Sequence, residues 1–318
     1  MTLLYADDVF QTHETGQHPE NARRIDRLLE QIGDSEKPFD TCKRVDWENA
    51  TDVQLTRVHD AAYVRHVQTF AADGGGRLDP DTVVSPVSHD VARRASGAVV
   101  DATRRVLAGE DKTAFCLVRP PGHHALPDRA MGFCLFNHIA VAAEFARQDV
   151  GLDRVLIVDF DVHHGNGTQD TFYDSAAVGF LSMHRVPFYP FTGEAGETGS
   201  GDGLGTTRNV PIDYGTARQT QLDRFEQALE EIANRLKPQL ILLSAGFDSH
   251  KDDPIGSLQL ETNDFRHLTR SVLAVARQHC EGKLVSTLEG GYNPNALTDC
   301  VAIHVEELLA DDPASSSK

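Results

Sequence analysis

Two aspartates and a histidine follow an apolar run near the middle of the chain, each two residues from the next. The segment VLIVDFDVHHGNG begins at Val155 and carries Asp159, Asp161 and His163. Residues two apart on an extended chain face the same side. Polar groups at a buried strand end carry a desolvation penalty that a divalent cation would offset, and aspartate and histidine are standard zinc ligands. The alternative is a strand end whose polar residues cap the next helix.

Apolar runs alternate with amphipathic stretches through the rest of the chain. We predict strands at 114–118, 155–160, 178–183, 240–244 and 284–288, and helices at 20–32, 60–71, 88–107, 133–147, 220–236, 264–279 and 295–309. This alternation predicts an α/β fold with one open parallel sheet flanked by helices. We expect a single domain over residues 1–310 and a disordered tail at 311–318.

Further polar residues follow other predicted strands. RPPGHH follows the first strand with His123 and His124, SAGFDSH supplies Asp248, and LEGGYN supplies Tyr292. Because ligands bind beyond the carboxyl ends of parallel strands, these residues should meet. Asp161, His163 and Asp248 would form a three-ligand metal site with an open position.

The histidine pair and the tyrosine are candidates for proton transfer and oxyanion stabilisation. Both histidines can face one site only in an irregular loop, which the preceding Pro-Pro-Gly favours. Asp159 would orient His123, and Asn166 would hold His124 while raising its pKa less than a carboxylate would. The Tyr292 hydroxyl could donate to a developing oxyanion. A purely structural tyrosine is the alternative.

Composition limits the partners. The 318 residues include 48 acidic and 30 basic side chains, a net charge of −18. Such a surface repels nucleic acid and attracts lysine-rich peptides or polyamines, although solubility alone would also explain it. Five cysteines without a CxxC pair, and no signal-like or membrane-spanning segment, predict a cytoplasmic protein.

Long ordered motifs resemble those of the zinc-dependent histone deacetylase family, which has the arginase–deacetylase fold. They are HPENARRI, RVHDAAYV, RPPGHHALPDRAMGFCLFNHIAVAA, VLIVDFDVHHGNGTQDTFY, LSMHR, SAGFDSHKDDPIGSLQLE and LEGGYN. RPPGHHA and HHGNGTQ are similar to the class II and bacterial deacetylase-like branch.

The resemblance implies one zinc ion on Asp161, His163 and Asp248, His123 and His124 as general base and acid, and Tyr292 as the residue that polarises the carbonyl. It also implies an acyl-lysine tunnel, K⁺ or Na⁺ sites and an arginine below the pocket. The tunnel residues would be Gly132, Phe133 and Tyr189, with Ile255 at the rim. One cation site would involve Asp159, Asp161, His163, Ser182 and Met183, and the other would involve Phe172, Ser175 and Val178. The arginine would be Arg24.

Three positions depart from the family pattern. Tyr189 stands where the family usually has phenylalanine. The rim aspartate of class I enzymes has no clear match, with Asp81 nearby but shifted. Ile255 replaces the glutamate of polyamine-selective relatives, which argues against a polyamine substrate.

The sequence therefore predicts a zinc amidohydrolase that removes acetyl or another short acyl group from acylated lysine peptides, proteins or small amines. Three different functions remain open: an acetylpolyamine amidohydrolase, a binuclear ureohydrolase and a catalytically silent acyl-lysine binding module. We expect no direct contact with nucleic acid or membranes.

Overall fold

An eight-stranded, fully parallel sheet forms the centre of the computed structural model, which describes residues 1–310. The strands run in the order β2-β1-β5-β10-β9-β6-β7-β8, and β3 and β4 form a separate antiparallel pair. In chain order the strands are β1 (Thr2–Ala6), β2 (Lys43–Arg44), β3 (Gly76–Arg77), β4 (Val83–Val84), β5 (Thr113–Leu117), β6 (Val155–Asp159), β7 (Val178–Val186), β8 (Thr207–Asp213), β9 (Leu240–Ala245) and β10 (Leu284–Leu288).

Helices cover this sheet. They are α1 (Asp26–Gly33), α2 (Asp52–Leu55), α3 (Ala61–Ala72), α4 (Ser88–Leu107), α5 (His138–Gln148), α6 (Asn166–Phe172), α7 (Arg218–Leu236), α8 (Thr262–Cys280) and α9 (Pro294–Ala310). Every residue of β5, β6, β9 and β10 is buried, as expected when a continuous apolar strand is covered on both faces. No helix within residues 1–310 has the length and apolar character to cross a membrane.

The predicted fold class is confirmed, but the sheet is wider than the sequence indicated. The five predicted strands correspond to β5, β6, β7, β9 and β10. The prediction missed β1, β2 and β8. Pro211 lies within β8, and proline is tolerated there because β8 is an edge strand of the sheet.

Two predicted helices begin later than expected. The helix predicted at 133–147 starts at His138, after Asn137, whose side chain accepts from the Ala140 N–H as the cap. Phe133 instead has a φ of 71° in a turn closed by the bridge between Met131 and Cys134. Residues 20–32 divide into a 3₁₀ turn, Ala22–Arg24, and α1. The tail predicted at 311–318 lies outside the described residues.

The candidate site residues follow four strands that are neighbours in the sheet. In the order β5-β10-β9-β6, the histidine pair follows β5, Tyr292 follows β10, Asp248 follows β9, and Asp161 with His163 follows β6. Parallel pairing puts all four carboxyl ends at one edge. The topology thus brings together residues that are far apart in the chain.

Candidate active site

Asp161, His163 and Asp248 form a buried group at this edge. One ligand atom from each lies within 4.8 Å of the others, and within the described part of the chain this is the group found able to hold a metal ion. His163 Nδ1 lies 3.0 Å from Asp161 Oδ1 and 3.1 Å from Asp248 Oδ2. These donor types and this spacing suit a small divalent cation.

The oxygen atoms of the two carboxylates also fit a metal ion. Asp161 Oδ2 accepts from the Gly290 N–H at 2.8 Å, and Asp248 Oδ1 accepts from the Val162 N–H at 2.8 Å. Asp248 Oδ2 is buried and has no other polar partner than His163 Nδ1, which lies 3.1 Å away. A buried carboxylate oxygen with so few partners is costly unless a cation neutralises it.

The charges of the two aspartates also favour a bound divalent cation. Burial opposes the charge on Asp161, but His123 and His163 outweigh it and lower the Asp161 pKa. Burial and the neighbouring Asp161 raise the pKa of Asp248 to about 7. Two buried carboxylates in contact with one imidazole therefore repel each other, and a divalent cation would relieve that repulsion.

Gly290 lies directly against both carboxylates. A Cβ atom at this residue would be 2.1 Å from Asp248 Oδ2 and 2.5 Å from Asp161 Oδ2. The site therefore needs a residue without a side chain at this end of β10.

The two histidines face the same site from the loop after β5. His123 Nδ1 lies 2.9 Å from Asp159 Oδ2, and His124 Nδ1 lies 2.7 Å from Asn166 Oδ1. The rings are 4.1 Å apart, and His123 Nε2 lies 3.8 Å from Asp161 Oδ1. The structure thus pairs His123 with a carboxylate and His124 with an amide.

Because their partners differ, the imidazole rings of His123 and His124 also differ in pKa. Burial opposes protonation of His123, but the carboxylates of Asp159 and Asp161 outweigh it and raise its pKa to about 10. Burial and the charge of His123 lower the pKa of His124 well below its ordinary value. His123 is therefore the stronger base, although a cation on Asp161 would reduce the difference.

Glu289, which is not among the residues predicted from the sequence, holds the histidine loop in place. Its Oε2 accepts from the backbone N–H of Gly122 at 2.7 Å and of His123 at 3.2 Å, and its Oε1 accepts from Ser244 Oγ at 2.9 Å. Burial raises its pKa to about 7. Its position after a buried strand, in the same motif as Tyr292, was the signal that could have identified it.

Tyr292 is held from two sides. Its N–H donates to Asp253 Oδ2 at 2.7 Å, while Asp253 Oδ1 accepts from the N–H of Ile255 at 2.9 Å. The Arg24 guanidinium lies 4.7 Å from the Tyr292 ring centre, and its Nε donates to Gly291 O at 2.7 Å. Burial raises the phenol pKa well above its ordinary value despite Arg24, so the hydroxyl stays protonated as a donor.

Behind Arg24 lies a buried ion network that the sequence analysis also missed. Glu20 is fully buried, and its Oε1 accepts from Arg24 Nη1 at 3.2 Å and from Arg119 Nε at 2.5 Å. Burial opposes the charge of Glu20, but Arg119 outweighs it and lowers the Glu20 pKa to about 2. This network ties the N-terminal segment to the turn that carries Tyr292.

The predicted tunnel residues surround the histidines and the tyrosine. The Tyr189 ring lies edge-on to His124 at 5.4 Å, and the Phe133 ring lies edge-on to Tyr292 at 5.8 Å. Gly132 lies so close to His124 that a Cβ atom there would be 2.4 Å from the ring. Ile255 is half-buried in the turn that Asp253 closes.

Asp81 lies beside Gly132 and Tyr189, at what would be the mouth of the predicted tunnel. Its carboxylate interacts with the backbone of Gly132, and burial and the neighbouring Asp79 raise its pKa to about 6. Because this raised pKa is still below 7, the Asp81 carboxylate is mostly anionic at neutral pH on this side of the mouth.

The residues of the two candidate K⁺ or Na⁺ sites also lie together. Asp159 pairs in register with Ser182 across β6 and β7, close to Met183, Asp161 and His163. Ser175 N donates to Phe172 O at 3.0 Å, and Ser175 Oγ accepts from Val178 N at 3.3 Å. Binding of a monovalent cation at either place stays a prediction.

The fold and the site together define a class, the enzymes with the arginase–deacetylase fold. The model of the histone deacetylase domain matches residues 18–308. A histone deacetylase-like amidohydrolase of Pseudomonas aeruginosa is 38% identical over 91% of this chain and 76% of its own, and a probable deacetylase of Archaeoglobus fulgidus is 36% identical over 92% and 81%. The crystal structure of the HDA15 HD domain matches with a TM-score of 0.90 at 33% identity, covering 97% of this chain and 88% of the other.

The chain therefore belongs to the histone deacetylase family. Membership in this family makes it a hydrolase of the deacetylase type. The resemblance seen in the sequence is confirmed.

Proposed function

We propose that this protein is a zinc-dependent amidohydrolase that removes acetyl or another short acyl group from the side chain of lysine. The observation that carries the proposal is the buried Asp161–His163–Asp248 group, with two carboxylates in contact with one imidazole, next to a histidine pair with unlike partners. The family match supports the reaction class.

Asp161, His163 and Asp248 would hold the zinc ion, which supplies Lewis acidity when bound. His123, the stronger base because of Asp159, takes a proton from the attacking water. His124, whose neutral amide partner leaves it the weaker base and so the stronger acid once protonated, gives a proton to the departing amine, and the proton that His123 takes from water replaces it at the end of the cycle. The Tyr292 hydroxyl donates to the carbonyl oxygen as negative charge develops there.

The rim favours lysine over a polyamine. Ile255 offers apolar contact to the methylene stem of lysine, and no carboxylate for the second ammonium group of a polyamine. The net charge of −18 attracts any polycation, but salt screens that attraction and it does not discriminate at the mouth.

Comparative kinetics at physiological salt test this choice. We expect higher kcat/KM for acetyl-lysine peptides than for acetylputrescine or acetylspermidine, and Ile255→Glu should shift the ratio toward the polyamines. A wild-type preference for acetylated polyamines would instead indicate an acetylpolyamine amidohydrolase.

Elemental analysis together with turnover tests the ureohydrolase and the silent binding module. We expect one tightly bound zinc ion per chain and hydrolysis of an acyl-lysine substrate. Two tightly bound metal ions would indicate a ureohydrolase, and bound zinc without turnover of any acyl amine would indicate a silent binding module.

Residues 1–310 act as one catalytic domain in the cytoplasm, with a K⁺ or Na⁺ ion supporting the site. Acylated lysine peptides or proteins, or small acylated amines, are its partners, and the negative charge argues against nucleic acid.

A further inference from the structure

One exposed and strained aromatic residue lies next to the tunnel. The Phe191 side chain is 79% exposed, the highest value among the exposed large hydrophobic side chains within residues 1–310. Its φ of 65° lies in the left-handed region, which is unfavourable for a bulky side chain. The backbone at Phe191 is therefore strained, and its side chain gains no burial in return. Packing within the fold does not explain why a phenylalanine occupies this position. Strain of this kind concentrates at functional sites.

The backbone fixes Phe191 close to the catalytic residues. The Phe191 N–H donates to Phe188 O at 2.8 Å and closes a four-residue turn that contains Tyr189. The Phe188 ring stacks on His163 with 5.2 Å between ring centres, while Tyr189 lies edge-on to His124. Phe188 and Tyr189, the first two residues of the turn, thus form part of the wall of the site. Phe191, the last residue, exposes its ring to solvent beside the mouth of the tunnel.

We infer that Phe191 determines specificity by packing against an apolar side chain that flanks the acyl-lysine of a peptide substrate. The inference rests on the proposed lysine deacylase function. When an acyl-lysine side chain lies against Tyr189, the peptide backbone remains outside the tunnel, in the region of the Phe191 ring.

The exposed aromatic ring of Phe191 at the mouth of the tunnel favours one kind of substrate. An aromatic ring that is mostly in water gains most by covering apolar surface. A polyamine has charged groups in place of flanking side chains, so the ring offers it little. Phe191 thus favours a peptide with an apolar neighbour over both a polar peptide and a small amine.

Matched peptides test the inference on the full-length zinc-loaded enzyme. One acetyl-lysine peptide carries leucine on both sides of the lysine, a second carries serine, and a single acetyl-lysine amide is the reference without neighbours. We expect the wild type to prefer the leucine peptide in kcat/KM by about fivefold, as partial burial of one ring and one side chain would give. Phe191→Ala and Phe191→Gly should remove this preference, whereas Phe191→Tyr should keep most of it.

A control and a stability measurement separate specificity from folding. Leu204 is also exposed, at 62%, and lies in another loop, so Leu204→Ala should leave the preference unchanged. Glycine adopts a positive φ readily, so Phe191→Gly should keep Tm within about 2 °C of the wild type. A large fall in Tm in both Phe191→Gly and Phe191→Ala would assign the ring a structural role and overturn the inference.

The kinetic outcomes are distinct as well. Wild-type enzyme that cleaves all three substrates without preferring leucine, or Phe191→Ala that retains the preference, contradicts the role of Phe191 alone. Wild-type enzyme that cleaves none of the three contradicts the lysine deacylase function and the inference with it.

Discussion

Replacing Gly290 with alanine tests whether the candidate ligand carboxylates must keep their present positions. The Cβ atom of the alanine would lie 2.1 Å from Asp248 Oδ2, whereas Cβ atoms essentially never approach another heavy atom to less than 3.0 Å. Asp248 Oδ2 must therefore move by about 0.9 Å, and Asp161 Oδ2 by about 0.5 Å. The φ of Gly290 is not in the left-handed region, so the backbone itself accepts alanine.

Displacements of this size are larger than a zinc site tolerates. Zinc–oxygen bonds are about 2.0–2.2 Å long, and functional sites keep them within about 0.2 Å. We expect Gly290→Ala to weaken zinc binding by at least about 100-fold, because disturbing even the residues that orient zinc ligands weakens binding by about 10–100-fold. Turnover should fall in parallel.

Competition with a chelating dye measures the zinc affinity, and thermal unfolding in excess chelator measures the fold separately from the metal. The control is Gly196→Ala, since a Cβ atom there meets nothing within 4 Å and its φ is also outside the left-handed region. If Gly290→Ala binds zinc as tightly as the wild type and Gly196→Ala do, the carboxylates have room to move and the reasoning is wrong.

Three further predictions concern single residues. Tyr292→Phe removes only the hydroxyl, so kcat should fall by about 100-fold with zinc content unchanged; nearly full turnover would exclude the hydroxyl from the mechanism. Asp159→Asn removes the negative charge that makes His123 the stronger base, so kcat should fall by about 10–100-fold; a variant as active as the wild type, with equal zinc content, would refute that role. The pKa of Glu20 is about 2 in the fold against an ordinary 4.5, so its contribution to stability is present above pH 4.5 and lost as the pH falls toward 2. Urea unfolding should show a loss of about 3 kcal/mol over that range, and the same loss in Glu20→Gln would contradict the assignment.

The grouping of Asp161, His163 and Asp248 was predictable because spacing and strand ends determine it. Asp161 and His163 alternate along one strand end, and Asp248 follows another strand of the same parallel sheet. The partners of the two histidines were also predicted, since Asp159 and Asn166 lie in the same segment as two of the ligands. This part of the prediction was based on the alternation of side chains along a strand and on the parallel pairing of the strands.

Contacts made by the backbone could not be predicted in the same way. Glu289 acts through the N–H groups of Gly122 and His123, which have no signature in side-chain types. Phe133 was assigned to a helix because the apolar pattern continues through it, whereas its positive φ depends on a turn. β8 was missed because Pro211 is acceptable only at a sheet edge, and the sequence does not show which strand is the edge.

The place of β10 in the sheet makes completion of the candidate site depend on the last strand to be synthesised among residues 1–310. Residues 284–288 follow every other strand in the chain, yet they pair with β5 on one side and β9 on the other. Before β10 is made, the strands β2-β1-β5 precede the histidine pair, and the strands β9-β6-β7-β8 separately include those that precede the candidate metal ligands. A nascent or truncated chain that ends before residue 284 has both sets of side chains but no strand to join them. We expect such a chain to be inactive, because this five-residue strand joins the two sets of candidate site residues.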